Sequence, residues 1–248
     1  MTDRGRLPDD ASKRARAFLA TGTAPVPARP ASTVVLVRDG AEGLEVYTQR
    51  RHTSMAFASG MVAFPGGRVD PADTVAPADL DQHHWARRLG TTPQAATGFV
   101  NAALRETTEE TGVRLHASAL RPWAHWITPR FETRRYDTWF FVAAAPRDQE
   151  PQDISGEASA VAWIAPREAL DRAVRGEWLM LLPTWTVLEE LSAYSSAGAV
   201  LGAERRIDTI TPGWIDDGEH VYSLPPDDPR YPGDDPTPSH GRRRRTGP

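Results

Sequence analysis

The stretch AALRETTEETGV, residues 102–113, places Glu106, Glu109 and Glu110 at mutual spacings of three and four. On a helix those spacings bring the carboxylates onto one face. Like charges placed this way each cost about 0.2–0.5 kcal/mol, so the repulsion needs an offset. A divalent cation supplies one, and an all-oxygen cluster suits a hard ion such as Mg²⁺ or Mn²⁺ better than zinc. Because Mg²⁺ is usually completed by waters and substrate phosphates, the implied chemistry is directed at phosphate. Arg105 reaches Glu109 at the i to i+4 spacing and can orient it with a rigid guanidinium fork. The competing reading is an exposed acidic stripe. Against it, Thr107, Thr108 and Thr111 are mediocre helix formers, so the segment is not simply Glu-rich for the sake of helicity.

About forty residues upstream lies GMVAFPGGRVDPAD, residues 60–73. Adjacent Gly66 and Gly67 after a proline permit close backbone approach, and carbonyls exposed in such a loop can ligate a metal. Alone, this is an ordinary turn. Followed by R-E-x-x-E-E-x-G-V it becomes specific.

Together these residues resemble the Nudix box, G-x5-E-x7-R-E-U-x-E-E-x-G-U with U apolar. Gly67 opens it, and Arg105, Glu106, Glu109, Glu110, Gly112 and Val113 fill its second half. Asp73 stands where the first Glu belongs, Thr107 replaces the apolar residue after R-E, and the spacer Thr74–Leu104 runs to 31 residues. An inserted segment, 74–97, thus splits the box. The insertion, the GxxxFPGG before it, and the segments 126–143 and 181–191 are similar to a larger Nudix branch with coenzyme A diphosphatase-like members. A basic residue normal to the longer coenzyme A signature is replaced here by Ala56.

The resemblance implies an α/β/α sandwich around a mixed β-sheet, and hydrolysis of a nucleoside diphosphate linked to another group. Coenzyme A or acyl-coenzyme A is the preferred substrate on this reading; ADP-ribose, NADH or a nucleotide sugar is the alternative. A non-catalytic nucleotide sensor is the alternative of another class. By carry-over, Glu109 and Glu110 bind Mg²⁺ or Mn²⁺, Glu106 is ligand or base, the Gly66 carbonyl is a further ligand, and Arg105 orients Glu109. Relatives also use a loop carboxylate as ligand or general base, a place that Glu157 fits ahead of Glu132 and Glu150. Arg50, Arg51, Arg134 and Arg135 are the candidates for a phosphate fork, with a solvated surface role as the alternative for each. Many relatives pair, so a homodimer is allowed.

The elements that must hold these residues alternate in type. Strand-like patterns cover 32–37, 44–48, 136–143 and 159–164; helical patterns cover 99–111, 166–176 and 183–194, with a short helix around 80–89. Adjacent His83 and His84 make a poor chelating pair, His125 reads as a semi-buried structural histidine, and the tryptophans at 123, 126, 139 and 163 read mostly as core. Residues 1–30 read as a loosely attached arm and linker with a short helix at 11–20, 31–224 as the catalytic domain, and 225–248 as a disordered tail ending in the basic run Arg242–Arg245.

Composition narrows the classes. Lys and Arg number 29 against 33 Asp and Glu, a formal charge of -4, so no basic field argues for nucleic acid or an anionic membrane. The absence of cysteine removes thiolate metal sites and cysteine nucleophiles. No signal-peptide pattern or run of membrane-spanning length is present, and the cytoplasm is the expected compartment.

Overall fold

The computed structural model describes residues 5–52 and 60–233, so Ala56 and the run Arg242–Arg245 lie outside the described residues. The chain forms two compact units. The first holds Ala28–Trp126 and Tyr136–Thr209; the second is assembled from Asp3–Pro27, Ile127–Arg135 and Ile210–Pro248. The helices in chain order are α1 (Asp9–Thr21), α2 (Gln82–Leu89), α3 (Pro93–Thr111), α4 (Pro166–Val174), α5 (Leu182–Leu191) and α6 (Ala197–Leu201). The strands are β1 (Arg29–Gly40), β2 (Gly43–Arg51), β3 (Val62–Ala63), β4 (Gly66–Arg68), β5 (Arg121–Ile127), β6 (Tyr136–Ala144), β7 (Ala158–Ile164), β8 (Thr209–Ile210), β9 (Gly213–Asp216) and β10 (Val221–Leu224).

The first unit is built on a mixed sheet in the order β3-β2-β1-β6-β5-β8, with β4 also on β1 and β7 also on β2. β1 runs parallel to β6 and antiparallel to β2 and β4. Its residues alternate between faces. Val34 and Leu36 join Tyr47, Phe99, Val100 and Phe141 in one core cluster, while Val35 and Val37 on the opposite face are equally inaccessible. Both faces of β1 are therefore covered. α4 and α5 pack on each other, and α5 reaches β5 through Glu190, which accepts from Trp123 Nε1 at 2.8 Å. A mixed sheet between helices is the expected α/β layering.

Segment 74–97 is integral to that core. Asp81 caps α2 by accepting from the His84 N–H at 2.9 Å, and Gly90 closes it in the left-handed region at φ +62°. Trp85 and Leu89 then bury themselves beside Phe99 and Phe141, leaving His83 and His84 exposed. α3 starts at Pro93, six residues before the expected Phe99. Thr92 caps it by accepting from the Ala95 N–H at 3.2 Å, and proline is suited to the first helical position. β5 was not expected, because Pro122 argues against a strand in its interior. Here the proline lies second in the strand.

The second unit corrects the expectation of a loosely attached N-terminal arm. α1 buries Ala15 in a cluster with Phe131, Trp214 and Val221, and Phe18 packs edge-on to Trp214 with centroids 5.9 Å apart. Arg14 forks Glu132 at 2.9 and 3.2 Å, and Arg16 forks Asp216 at 2.8 and 3.0 Å. β9 and β10 form an antiparallel hairpin beside them. The composition of residues 1–30 gave little sign of this, because the partners lie more than a hundred residues away. Past Pro225 the chain turns, with the Asp228 N–H donating to the Pro225 carbonyl at 3.0 Å.

Candidate active site

α3 carries the centre of the site. Its last turn ends at Gly112, which lies in the left-handed region at φ +77° and whose N–H donates to the Thr108 carbonyl at 2.9 Å. Thr107 occupies the position where an apolar residue was expected. It is fully buried, and its hydroxyl donates back to the Ala103 carbonyl at 2.7 Å. That i−4 bond satisfies the hydroxyl locally and lets threonine pack as an apolar residue would.

Arg105 is the hub. Its Nε and Nη2 donate to the two Asp73 oxygens at 3.1 and 2.9 Å, and Nη2 also reaches the Arg68 carbonyl at 2.9 Å. Nη1 donates to Glu106 Oε1 and Glu109 Oε2, both at 2.9 Å. The guanidinium is held even more firmly protonated than usual, chiefly by Asp73 and then by Glu106 and Glu109, against the effect of burial. Asp73 is almost completely buried and ties down its own turn, accepting from the Asp70 N–H at 2.8 Å. Asn101 supports the same turn from α3, donating to the carbonyls of Asp73 and Val75 at 2.8 and 3.0 Å.

Glu110 is buried. One oxygen, Oε2, accepts from Gln49 Nε2 at 2.7 Å and from the Gly66 N–H at 3.2 Å. Burial pushes its carboxyl up to about 7 despite those two donors, and the charges of Glu106 and Glu157 push in the same direction. Glu106 is also raised, first by burial, with Arg105 opposing and Glu109 and Glu157 adding to the rise. Glu109 is the most exposed of the three, and its side chain is committed to Arg105.

The glycines bring backbone close to these carboxylates. A Cβ at Gly67 would overlap the Glu106 carboxylate, and one at Gly66 would overlap the Ser32 carbonyl oxygen of β1. Glycine is required here by proximity. β4 is therefore threaded between β1 and the acidic face of α3.

Glu157 comes to the same place by a different route. Its carbonyl accepts from the His52 N–H at 2.7 Å, and the preceding loop is pinned to α3 by bonds from the N–H groups of Gln152 and Ile154 to the carbonyls of Thr111 and Glu110, 3.0 and 3.1 Å. Glu157, Glu110, Gln49 and Arg51 line one cleft together with Ala63 and Phe64. Arg50 points elsewhere, with Nη2 donating to the Glu177 carbonyl at 2.7 Å. Arg134 and Arg135 belong to the second unit, where Arg135 donates to the carbonyls of Thr128 and Val26 at 3.0 and 2.8 Å. The less favoured acids are occupied: Glu132 by Arg14, Glu150 by Trp163 Nε1 at 3.0 Å and Arg38 at 3.4 Å. His125 is a satisfied structural histidine, bonded to Asp137 and to Thr209 and stacked on Trp139 at 4.4 Å.

The sequence reading missed Gln49. A single amide in a strand of mixed polarity carries no signal of a partner 61 residues away.

The donor set has the chemistry of a hard-cation site: carboxylate oxygens on α3, another carboxylate in the same cleft, and a glycine backbone against them. Among the described residues, no group of three or more His, Asp and Glu side chains stands ready-gathered around a common point. Glu109 is turned to Arg105 and Glu110 to Gln49, which keeps them from one point, while as neighbouring carboxylates on α3 they fit a hard cation in kind. No helix among the described residues is long and apolar enough to cross a membrane.

Residues 80–182 match the family model described as the NUDIX domain. A comparison with curated proteins gave no match. Among solved structures, the chain is similar to a NUDIX hydrolase from Alicyclobacillus acidocaldarius, with 27% identity, 71% of this chain and 96% of that chain covered, and a TM-score of 0.59. It also resembles the NUDIX domain of Shewanella oneidensis NrtR complexed with ADP ribose, at 17% identity, coverage of 71% and 94%, and a TM-score of 0.46. A C. elegans Ap4A hydrolase binary complex aligns at 16% identity, with coverage of 66% and 96% and a TM-score of 0.42.

Proposed function

We propose that this chain, whose residues 80–182 match the NUDIX domain model, is a divalent-metal-dependent hydrolase of nucleoside diphosphates linked to a second group, acting through a Nudix box interrupted by residues 74–97. One observation carries the reading: Arg105 binds Asp73 across the interruption while holding Glu106 and Glu109, so the two halves of the box act as one site. A sensor without catalysis would have no need of that arrangement together with a further carboxylate, Glu157.

In the reaction, water attacks one phosphorus of the diphosphate, the bridging P–O bond breaks, and the second phosphate leaves with the bond's electron pair. Glu106, Glu109, Glu110 and the Gly66 carbonyl are the residues that would hold Mg²⁺ or Mn²⁺, which when bound neutralises the diphosphate and eases ionisation of water. Arg105 keeps Glu106 and Glu109 in place. Glu157, which lines the cleft with Glu110, would accept the proton of the attacking water. Arg51 lines that cleft and is the preferred phosphate contact. Arg50 is less favoured, having committed a donor to Glu177, and the same holds for Arg135 with its two carbonyls.

Coenzyme A or an acyl derivative is the preferred substrate, on the strength of the insertion and the GxxxFPGG segment. ADP-ribose, NADH and nucleotide sugars share the diphosphate. Product analysis by mass spectrometry, with Mg²⁺ or Mn²⁺ and all of these compounds, tests the proposal. Release of 3′,5′-ADP and 4′-phosphopantetheine from coenzyme A is the expected result. Cleavage of another compound in its place would keep the reaction and reject the substrate; binding of a compound without cleavage would reject the enzyme.

A further inference from the structure

We infer that Gln49 is a positioning residue for the metal site, fixing which oxygen of Glu110 is offered to the cation; this deepens the proposed function and rests on it. The observation is an asymmetry. Among the described residues, the two hydrogen bonds to the Glu110 side chain, from Gln49 Nε2 at 2.7 Å and the Gly66 N–H at 3.2 Å, arrive at Oε2. Two donors on one oxygen occupy its lone pairs, so Oε1 is left as the oxygen to bind a cation, and Glu110 serves as a one-oxygen ligand.

Gln49 is suited to this. It sits on β2, opposite Ala63 of β3 and Val161 of β7, with strands on both sides, and the residue is only 5% exposed. A buried amide held by a sheet has little freedom to follow a wandering carboxylate. It instead makes the carboxylate come to it. The second donor belongs to Gly66, whose carbonyl is itself a candidate ligand, so the same contacts set the distance between two ligands. A neutral donor also leaves the carboxylate's charge available to the cation, where an arginine in the same place would cancel it. Polar partners of this kind orient metal ligands generally, and their loss typically weakens metal affinity by about 10–100-fold.

The test is a Mn²⁺ titration followed by electron paramagnetic resonance on the metal-free full-length protein, without substrate. It compares the wild type with Gln49→Met, which conserves volume and removes the donor, Gln49→Asn, which keeps polarity but falls short of Glu110, and Glu110→Gln. Thermal melts of each protein accompany the titration. The expected result is tight wild-type binding that weakens by about 10–100-fold in both Gln49 variants, with Glu110→Gln weaker still. Asparagine keeps the test open should the methionine variant fail to fold. Wild-type affinity in a folded Gln49 variant, with or without a lower melting temperature, overturns the inference while Glu110→Gln still weakens binding. Wild-type affinity in Glu110→Gln overturns the Glu110 assignment, and this inference with it.

Discussion

Arg105 and Asp73, 32 positions apart, meet in a two-pronged fork with Nε–Oδ1 and Nη2–Oδ2 distances of 3.1 and 2.9 Å. A fork of this type has both direction and charge, so it fixes the turn that follows β4, and with it Gly66 and Gly67, against the acidic face of α3. Asp73→Ala should leave that guanidinium with fewer partners and cost about 1–3 kcal/mol. Denaturant melts check the stability, and hydrolysis assays should show a larger proportional loss, because Glu106 and Glu109 depend on the same guanidinium. Asp73→Glu, although closer to the usual box, should not improve either quantity. The position is 5% exposed, and an added methylene in a packed site costs about 1–3 kcal/mol.

Glu110 predicts an inverted pH dependence for the metal-free protein. Its folded-state value, about 7, lies above the ordinary 4.5. Between those values the folded chain holds more protons than the unfolded chain, so stability falls as pH rises. Glu110 contributes a penalty that is fully present above about pH 7 and is relieved as pH drops toward 4.5, on the order of 3 kcal/mol in total. Melting temperature without metal should therefore be lower at pH 8 than at pH 6. Mg²⁺ should recover it at pH 8, and Glu110→Gln should flatten the slope. A metal-free melt that rises from pH 6 to pH 8 equally in the wild type and Glu110→Gln would contradict this.

Thr107→Val should be almost neutral, below about 1 kcal/mol, because the lost hydroxyl bond is local and the Ala103 carbonyl remains within the helix. Its activity should match the wild type. Urea midpoints and turnover together check this.

The two glycines should respond differently. Gly66→Ala drives a Cβ into the Ser32 carbonyl, rigid backbone of β1, and should abolish soluble folded protein. Gly67→Ala meets only the end of the Glu106 side chain, which can move. That variant should fold and melt near the wild type while losing metal-dependent turnover, as circular dichroism and a hydrolysis assay would reveal.

Much of this site was legible because it is written locally. The run from Arg105 to Gly112 carries its spacing, its helix stop and its charge in eight consecutive residues, and β1 and β2 show as apolar, β-branched-rich runs on either side of Asp39-Gly40 and Gly43. What escaped depends on distance along the chain. Gln49 means nothing until β2 is laid beside α3. Segment 74–97 reads as an insertion, yet Trp85 and Leu89 are core residues of the layer that α3 builds. α1 reads as an arm because Glu132 and Asp216, its partners, lie more than a hundred residues further along the sequence. Arg50 and Arg135 look alike as candidate phosphate forks in one dimension, whereas folding commits one Arg50 donor and two Arg135 donors to backbone carbonyls.

The central claim is that the acidic face of α3 performs diphosphate hydrolysis. The most direct measurement is Mg²⁺-dependent turnover of the cleaved compound by the wild type, Glu109→Gln and Glu110→Gln, each verified as folded. A loss of about 100-fold or more in both variants is expected for ligands of an essential metal. Near-normal Mg²⁺-dependent turnover in both would contradict the account.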